Sequence, residues 1–113
     1  MKADIGSLLF IKETNSAKKR PYMCVYVFKN TAGVPYDWLV VPITSTDSVG
    51  MTNLIPVKHA KLNSIESYAK LNNIRSISWS DEIEVAKVKF DSSYVRDVSV
   101  KLGNILRTNK EDE

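Results

Sequence analysis

A single cysteine and a single histidine stand in 113 residues, and each scarcity closes off chemistry. Cys24 alone allows neither an intrachain disulfide nor a cysteine-based metal cluster. Set between Met23 and Val25, it reads as a buried strand residue. His59 lies beside Lys58 and close to Pro56, so it belongs to an expected edge strand and reads as exposed or partly packed. No Gly-x-Ser-x-Gly elbow accompanies it to suggest a hydrolase, and there is no P-loop, dinucleotide-binding glycine pattern or H-E-x-x-H. The acidic pair Asp81 and Glu82 falls in an expected turn and reads as solvated charge, so neither a metal nor a cofactor is expected. No apolar run approaches a membrane span and no leader-like segment opens the chain, which points to a cytoplasmic protein with no membrane association.

What is present is an ordinary globular balance of 43% hydrophobic and 26% charged residues. The length fits one domain over residues 1–113, with 108–113 expected as a charged tail. Such a chain buries roughly two-thirds of its unfolded surface, enough for a modest core and a shallow site, or one made where two subunits meet. Net charge is only +3, but it is unevenly spread. From Lys12 to Arg75 nine bases face four acids, a net +5, whereas from Asp81 to Glu113 six bases face eight acids, a net −2. A polyanion would be met by the first two-thirds.

Patterning predicts a mainly β domain. Asp4 to Lys12 reads as an opening strand, with Gly6 a bulge or a point of close approach. Pro21 to Phe28 reads as a strand with Met23, Val25 and Val27 on one face and Tyr22, Cys24, Tyr26 and Phe28 on the other. Both faces are apolar, so the strand should be central. Lys29 to Asp37 reads as a turn around Asn30, Gly33 and Pro35, and Trp38 to Ile43 as the next strand. A polar loop over Thr44 to Thr52 leads to a strand over Asn53 to Leu62, which Pro56 assigns to an edge. Tyr68 to Trp79 reads as an irregular strand and Val85 to Phe90 as a half-buried one. Asp91, Ser92 or Ser93 can cap a final helix, where Val95, Val98, Leu102 and Ile105 recur at helical spacing and Leu106 widens the stripe.

One constellation suggests chemistry. Lys18-Lys19-Arg20-Pro21 marks the junction of a polar loop and the central strand, and Pro21 restricts Arg20 to extended backbone. A guanidinium held there suits a phosphate, which its planar fork can grip through two parallel hydrogen bonds. Thr44-Ser45-Thr46 follows directly from another apolar strand. If those strand ends lie side by side, an arginine and a hydroxyl converge.

These residues resemble the MazF/PemK/Kid family, the toxins of bacterial toxin–antitoxin pairs. The likeness runs from about Asp4 to Leu106. It is carried by Asp4-Ile5-Gly6, by Arg20-Pro21 before an apolar strand, by Val41-Pro42-Ile43-Thr44-Ser45 and by Asn73-Ile74-Arg75-Ser76-Ile77. The resemblance implies a small Src-homology-3-like barrel with a C-terminal helix, a homodimer, and a cognate antitoxin protein as partner. It further implies a metal-independent endoribonuclease that cuts single-stranded RNA by attack of the ribose 2′-hydroxyl on the adjacent phosphate, leaving a cyclic phosphate and a 5′-hydroxyl. Because the substrate supplies the nucleophile, such a protein orients the phosphate, moves protons and stabilises added negative charge.

By that resemblance Arg20 and Thr44 are the catalytic pair, Arg20 stabilising transition-state charge and the Thr44 hydroxyl binding the scissile phosphate, with Ser45 assisting. Lys18 and Lys19 would hold flanking phosphates, and Tyr68 would offer either a stacking surface for an unpaired base or a core ring. Lys70 stands where one branch of the family has an arginine. Asn72 stands where an acid is common, and an amide accepts no proton at neutral pH. The segment from Glu13 to Lys19 is shorter than the family's first loop and lacks its glycines. Two alternatives stay open on the same residues: a non-catalytic module of the CcdB type, which binds gyrase, and a structural domain without enzymatic role.

Overall fold

The computed structural model describes residues 2–13, 17–44, 54–56 and 68–111. Its strands are β1 (Leu8–Lys12), β2 (Lys19–Lys29), β3 (Pro35–Thr44), β4 (Leu54–Pro56), β5 (Tyr68–Lys70), β6 (Arg75–Ile77) and β7 (Glu84–Val85). A 3-10 turn, Leu71–Asn73, joins β5 to β6, and one helix, α1 (Ser92–Glu111), ends the described chain. All strand pairs are antiparallel, in the order β4-β5-β3-β2-β1-β7, with β6 also on β3. β3 serves two partners in succession: Trp38–Val40 pairs with β6, then Ile43 and Thr44 pair with β5. The result is a mainly β, small barrel-like fold with a C-terminal helix.

β2 is central because both its faces are apolar and both are covered. On one side Leu8, Met23, Val25, Val41, Ile43 and Ala69 pack under α1, which contributes Tyr94, Val95 and Val98. On the other, Leu9, Ile11, Tyr22, Cys24, Val27, Trp38 and Val40 fill the barrel, closed by Ile77, Trp79 and Ile83. Fully burying one such aliphatic side chain contributes about 1.5–3 kcal/mol.

The alternation expected along β2 fails at one point. Cys24 pairs with Val40 but Tyr26 pairs with Leu39, so Val25 is an extra, bulged residue. A bulge reverses the facing of everything after it. Val27 therefore joins Tyr22 and Cys24 inside the barrel, instead of Met23 and Val25, and Tyr26 is left exposed.

The opening strand is shorter than expected, because Asp4–Ser7 forms a turn in which Ser7 N–H donates to Asp4 O at 3.0 Å. Gly6 is a close approach in fact: its φ is +89°, and an added Cβ would meet Val95 Cγ2 at 3.4 Å. The hairpin turn forms around Asn30 and Gly33 but is shorter than the expected 29–37, because Lys29 still belongs to β2 and Pro35–Asp37 already pair within β3; Asn30 Oδ1 accepts from Ala32 N–H and Val34 N–H.

Tyr68 to Trp79 is not one strand but two, β5 and β6, separated by the 3-10 turn. Leu71 is buried there and anchors the reversal. Val85 to Phe90 likewise does not continue as a strand: β7 is two residues long, and Val88 is exposed while Phe90 is buried beneath the helix. β4 lies at the sheet edge, as Pro56 required, and the remainder of the expected 53–62 strand lies outside the described residues.

α1 starts where Val95 N–H donates to Asp91 O at 3.0 Å and buries Tyr94, Val95 and Val98, with Leu102 and Ile105 half-buried. Leu106 does not widen that stripe, being 62% exposed. The helix backbone continues to Glu111, into the stretch expected as a tail. No helix among the described residues is long and apolar enough to cross a membrane.

Candidate functional site

The β2–β3 ladder ends at the pair Tyr22–Pro42. Two residues further along each strand stand Arg20 and Thr44, so the two sequence-predicted residues leave the ladder at the same end. There β2 continues against β1, with Arg20 opposite Ile11, and β3 against β5, with Thr44 opposite Tyr68.

Strand alternation also gives them one face. Directly opposed residues of an antiparallel pair project to the same side. Ile11 is buried in the barrel, so its partner Arg20 stands on the barrel face. Thr44 is in step with Val40 on β3 and shares that face, and Lys70, two residues from Tyr68, shares it too. On β6, Arg75 is paired with Val40 and in step with Ile77. The barrel mouth thus collects Arg20, Thr44, Lys70 and Arg75, a surface suited to anions.

A hydrogen-bonded chain spans this mouth. The Tyr22 hydroxyl donates to Glu13 Oε1, and Arg75 Nη2 donates to the same Tyr22 oxygen at 2.9 Å. The Arg75 guanidinium also lies 5.1 Å from the centroid of the Tyr22 ring, within cation–π range. Burial, reinforced by the Glu13 carboxylate and opposed by Arg75, pushes the Tyr22 phenol up to about 12. Tyr22 is therefore a neutral donor throughout the physiological range. Beside this chain Ile11, Lys12, Arg75, Ile77, Ser80 and Glu82 line a small cleft of about 210 Å³.

The other expected residues are distributed unevenly. Arg20 is exposed, with no ion pair among the described residues. Lys18 is exposed in the bend just before β2. Lys19 pairs with Lys12 across the strands and points to the opposite face, where its Nζ meets Glu84 Oε1 at 2.7 Å. It is tied to β7 rather than joined to Arg20. Tyr68 is half-buried opposite Thr44. Asn72 is exposed in the 3-10 turn that delivers Arg75 to the mouth. Ser45 and His59 lie outside the described residues.

Cys24 is buried, its thiol pushed up to about 11 by burial, so it is a packing residue. Among the described residues no three His, Cys, Asp or Glu side chains cluster to hold a metal.

Sequence reasoning did not single out Glu13, Tyr22 or Arg75 as members of the site. The available signal was weak: Glu13 is two residues beyond an inward-facing strand residue, and Tyr22 is in step with Arg20. Neither position shows that β6 will pair with β3, which is what brings Arg75 to the phenol. No protein-family model matches the chain, and no curated protein matches it in sequence.

Proposed function

We propose that the protein is a metal-independent endoribonuclease of the MazF/PemK/Kid toxin type, cutting single-stranded RNA. The observation that carries this reading is that Arg20 and Thr44 leave the β2–β3 ladder at the same end and on the same face. In-line attack of a ribose 2′-hydroxyl on the neighbouring phosphate builds negative charge on the non-bridging oxygens. A positioned guanidinium and a hydroxyl donor meet that need, and each donor of this kind contributes about 10²–10³ in rate. In this reading the Arg20 fork stabilises the charge as it develops and Thr44 Oγ1 donates to the scissile phosphate. Lys70 and Lys18 hold flanking phosphates, which gives affinity without sequence information. Lys19, engaged by Glu84, contributes less than the sequence suggested.

The same reading carries a homodimer and a small antitoxin protein as partner. Cytoplasmic action on messenger RNA completes it.

The test is incubation of a long, sequence-diverse single-stranded RNA with the protein in EDTA, beside Arg20→Ala and Thr44→Ala, with mapping of the new ends. Discrete cuts bearing 5′-hydroxyl ends, lost in both variants, are the expected result. Wild-type cutting by both variants would remove Arg20 and Thr44 from the reaction. An uncut RNA with folded wild-type protein would favour a binding module of the CcdB type.

A further inference from the structure

Cleavage through the 2′-hydroxyl needs an acceptor for that hydroxyl's proton. Most ionisable groups at the barrel mouth cannot serve. Arg20 and Arg75 are cations that do not give up their protons in water, and Tyr22 keeps its own. Asn72 is an amide. Two carboxylates stand near this face among the described residues, Glu82 in the cleft beside Arg75 and Glu13, and it is Glu13 that the Tyr22 hydroxyl holds.

We infer that Glu13 is the general base of the reaction and that Tyr22 and Arg75 are positioning residues acting through it; the inference rests on the ribonuclease reading above. The geometry accounts for the division of labour. Glu13 follows directly on β1, and one of its carboxylate oxygens, Oε1, is occupied by the Tyr22 hydroxyl. That bond fixes the carboxylate against the strand bearing Arg20 and leaves Oε2 to accept a proton. Arg75, donating to the same phenol oxygen, fixes the phenol in turn. Glu13 bonds Tyr22 on β2, which in turn bonds Arg75 on β6; by the β1–β2 register Lys18 and Arg20 flank it, and Lys12 and Glu82 line the small cleft with Arg75.

The step balances without a further reagent. As the 2′-oxygen forms its bond to phosphorus, the 2′-hydroxyl proton passes to Glu13 Oε2. The bond from phosphorus to the 5′-oxygen breaks, its electron pair stays on that oxygen, and water at the open mouth supplies the proton. The products are a cyclic phosphate and a 5′-hydroxyl, and Glu13 returns its proton to solvent.

The experiment measures cleavage rate against pH for wild type, Glu13→Gln, Glu13→Asp, Tyr22→Phe and Glu82→Gln, with binding read on an RNA carrying 2′-deoxyribose at the mapped cut. General-base catalysis contributes about 10²–10⁴ in rate, so Glu13→Gln should lose at least a hundredfold while binding the deoxy-substituted RNA as wild type does. The wild-type rate should rise with pH along an acid limb that Glu13→Gln lacks. Glu13→Asp, which keeps a carboxylate, should be slower but retain the limb, so it also reports if the glutamine variant folds poorly. Tyr22→Phe removes the donor that holds the carboxylate and should lower kcat with KM for RNA unchanged, a split that loss of packing alone would not produce. Glu82→Gln should cut at the wild-type rate. Cleavage by Glu13→Gln at the wild-type rate with its acid limb intact would overturn the inference and leave the ribonuclease reading standing. Wild-type protein that leaves RNA uncut would overturn both.

Discussion

The two ends of the β2–β3 ladder, about 23 Å apart for the seven steps from Tyr22 to Lys29 at about 3.3 Å each, are built from opposite materials. At the mouth, Glu13, Arg20, Thr44, Lys70 and Arg75 present charge and hydroxyl, and the Tyr22 ring among them is hydrogen-bonded on both sides. At the far end Trp38 is 1% exposed, its Nε1 donates to Ala3 O at 3.3 Å, and its ring lies 5.0 Å from that of Trp79. Tyr26, Phe28 and Tyr36 continue the aromatic character along the hairpin, their rings in edge and tilted contact. The far end is closed by packing, whereas the mouth is held by directional bonds between strands that diverge. Packing serves stability, and directional bonds serve chemistry that needs atoms at fixed positions.

The contrast is open to attack at its strongest point. Trp38→Ala should cost about 3–5 kcal/mol of unfolding free energy, read from urea denaturation, because it empties the packed far end of the barrel. Its effect on cleavage per folded molecule should be small by comparison. Arg20→Ala should show the reverse pattern. Its cleavage rate should fall about 10²–10³-fold, equivalent to about 2.7–4 kcal/mol of barrier, while stability stays within about 0.5 kcal/mol of wild type because the side chain is exposed. A large stability loss from Arg20→Ala would mean that the mouth is structural, and the contrast between the two ends would collapse.

Alkaline titration sharpens the comparison further. The Cys24 thiol is raised from its usual 9 to about 11 and the Tyr22 phenol from 10 to about 12, both first by burial. A raised folded-state value means that the native protein holds its proton where the unfolded chain has released it. Stability from Cys24 is therefore complete below pH 9 and declines as pH rises through about 11; that from Tyr22 is complete below pH 10 and declines through about 12. Unfolding followed by circular dichroism across pH 8–12 should show a fall that steepens above pH 10, where the Tyr94 phenol, also raised by burial, adds to that of Tyr22, so Tyr22→Phe should reduce the loss above pH 10 without abolishing it.

How far the sequence foretold these ends depends on the range of the interaction involved. The helix was legible because Val95, Val98, Leu102 and Ile105 repeat within one element, and the hairpin turn because Asn30 bonds its own neighbours. Arg20 and Thr44 were legible as strand-end residues through Pro21 and the apolar runs beside them. The bulge at Val25 was not, since it arises from how β3 aligns on β2 and no glycine or proline marks it. The same slip explains why Val27 exchanged faces. The Glu13–Tyr22–Arg75 chain joins residues up to 62 positions apart, so it exists only once β6 has closed against β3. Lys19 shows the same lesson in the other direction: beside Arg20 in the chain, it stands on the opposite face of the strand.

That last pair yields the smallest and most specific test. Lys19 and Glu84 are 2.7 Å apart with side chains 32% and 67% exposed, so water screens their attraction. Such a pair contributes about 0–1 kcal/mol, and a double-mutant cycle of Lys19→Ala with Glu84→Ala should give a coupling in that range. The more telling readout is salt dependence of RNA binding. Each phosphate contact on a single strand adds about 0.7 to the slope of log affinity against log salt. Lys70→Ala, on the face of Arg20 and Thr44, should lower that slope by about one contact, whereas Lys19→Ala should leave it unchanged. An equal loss for both would show that RNA follows the edge of the sheet past Glu84, rather than crossing the barrel mouth.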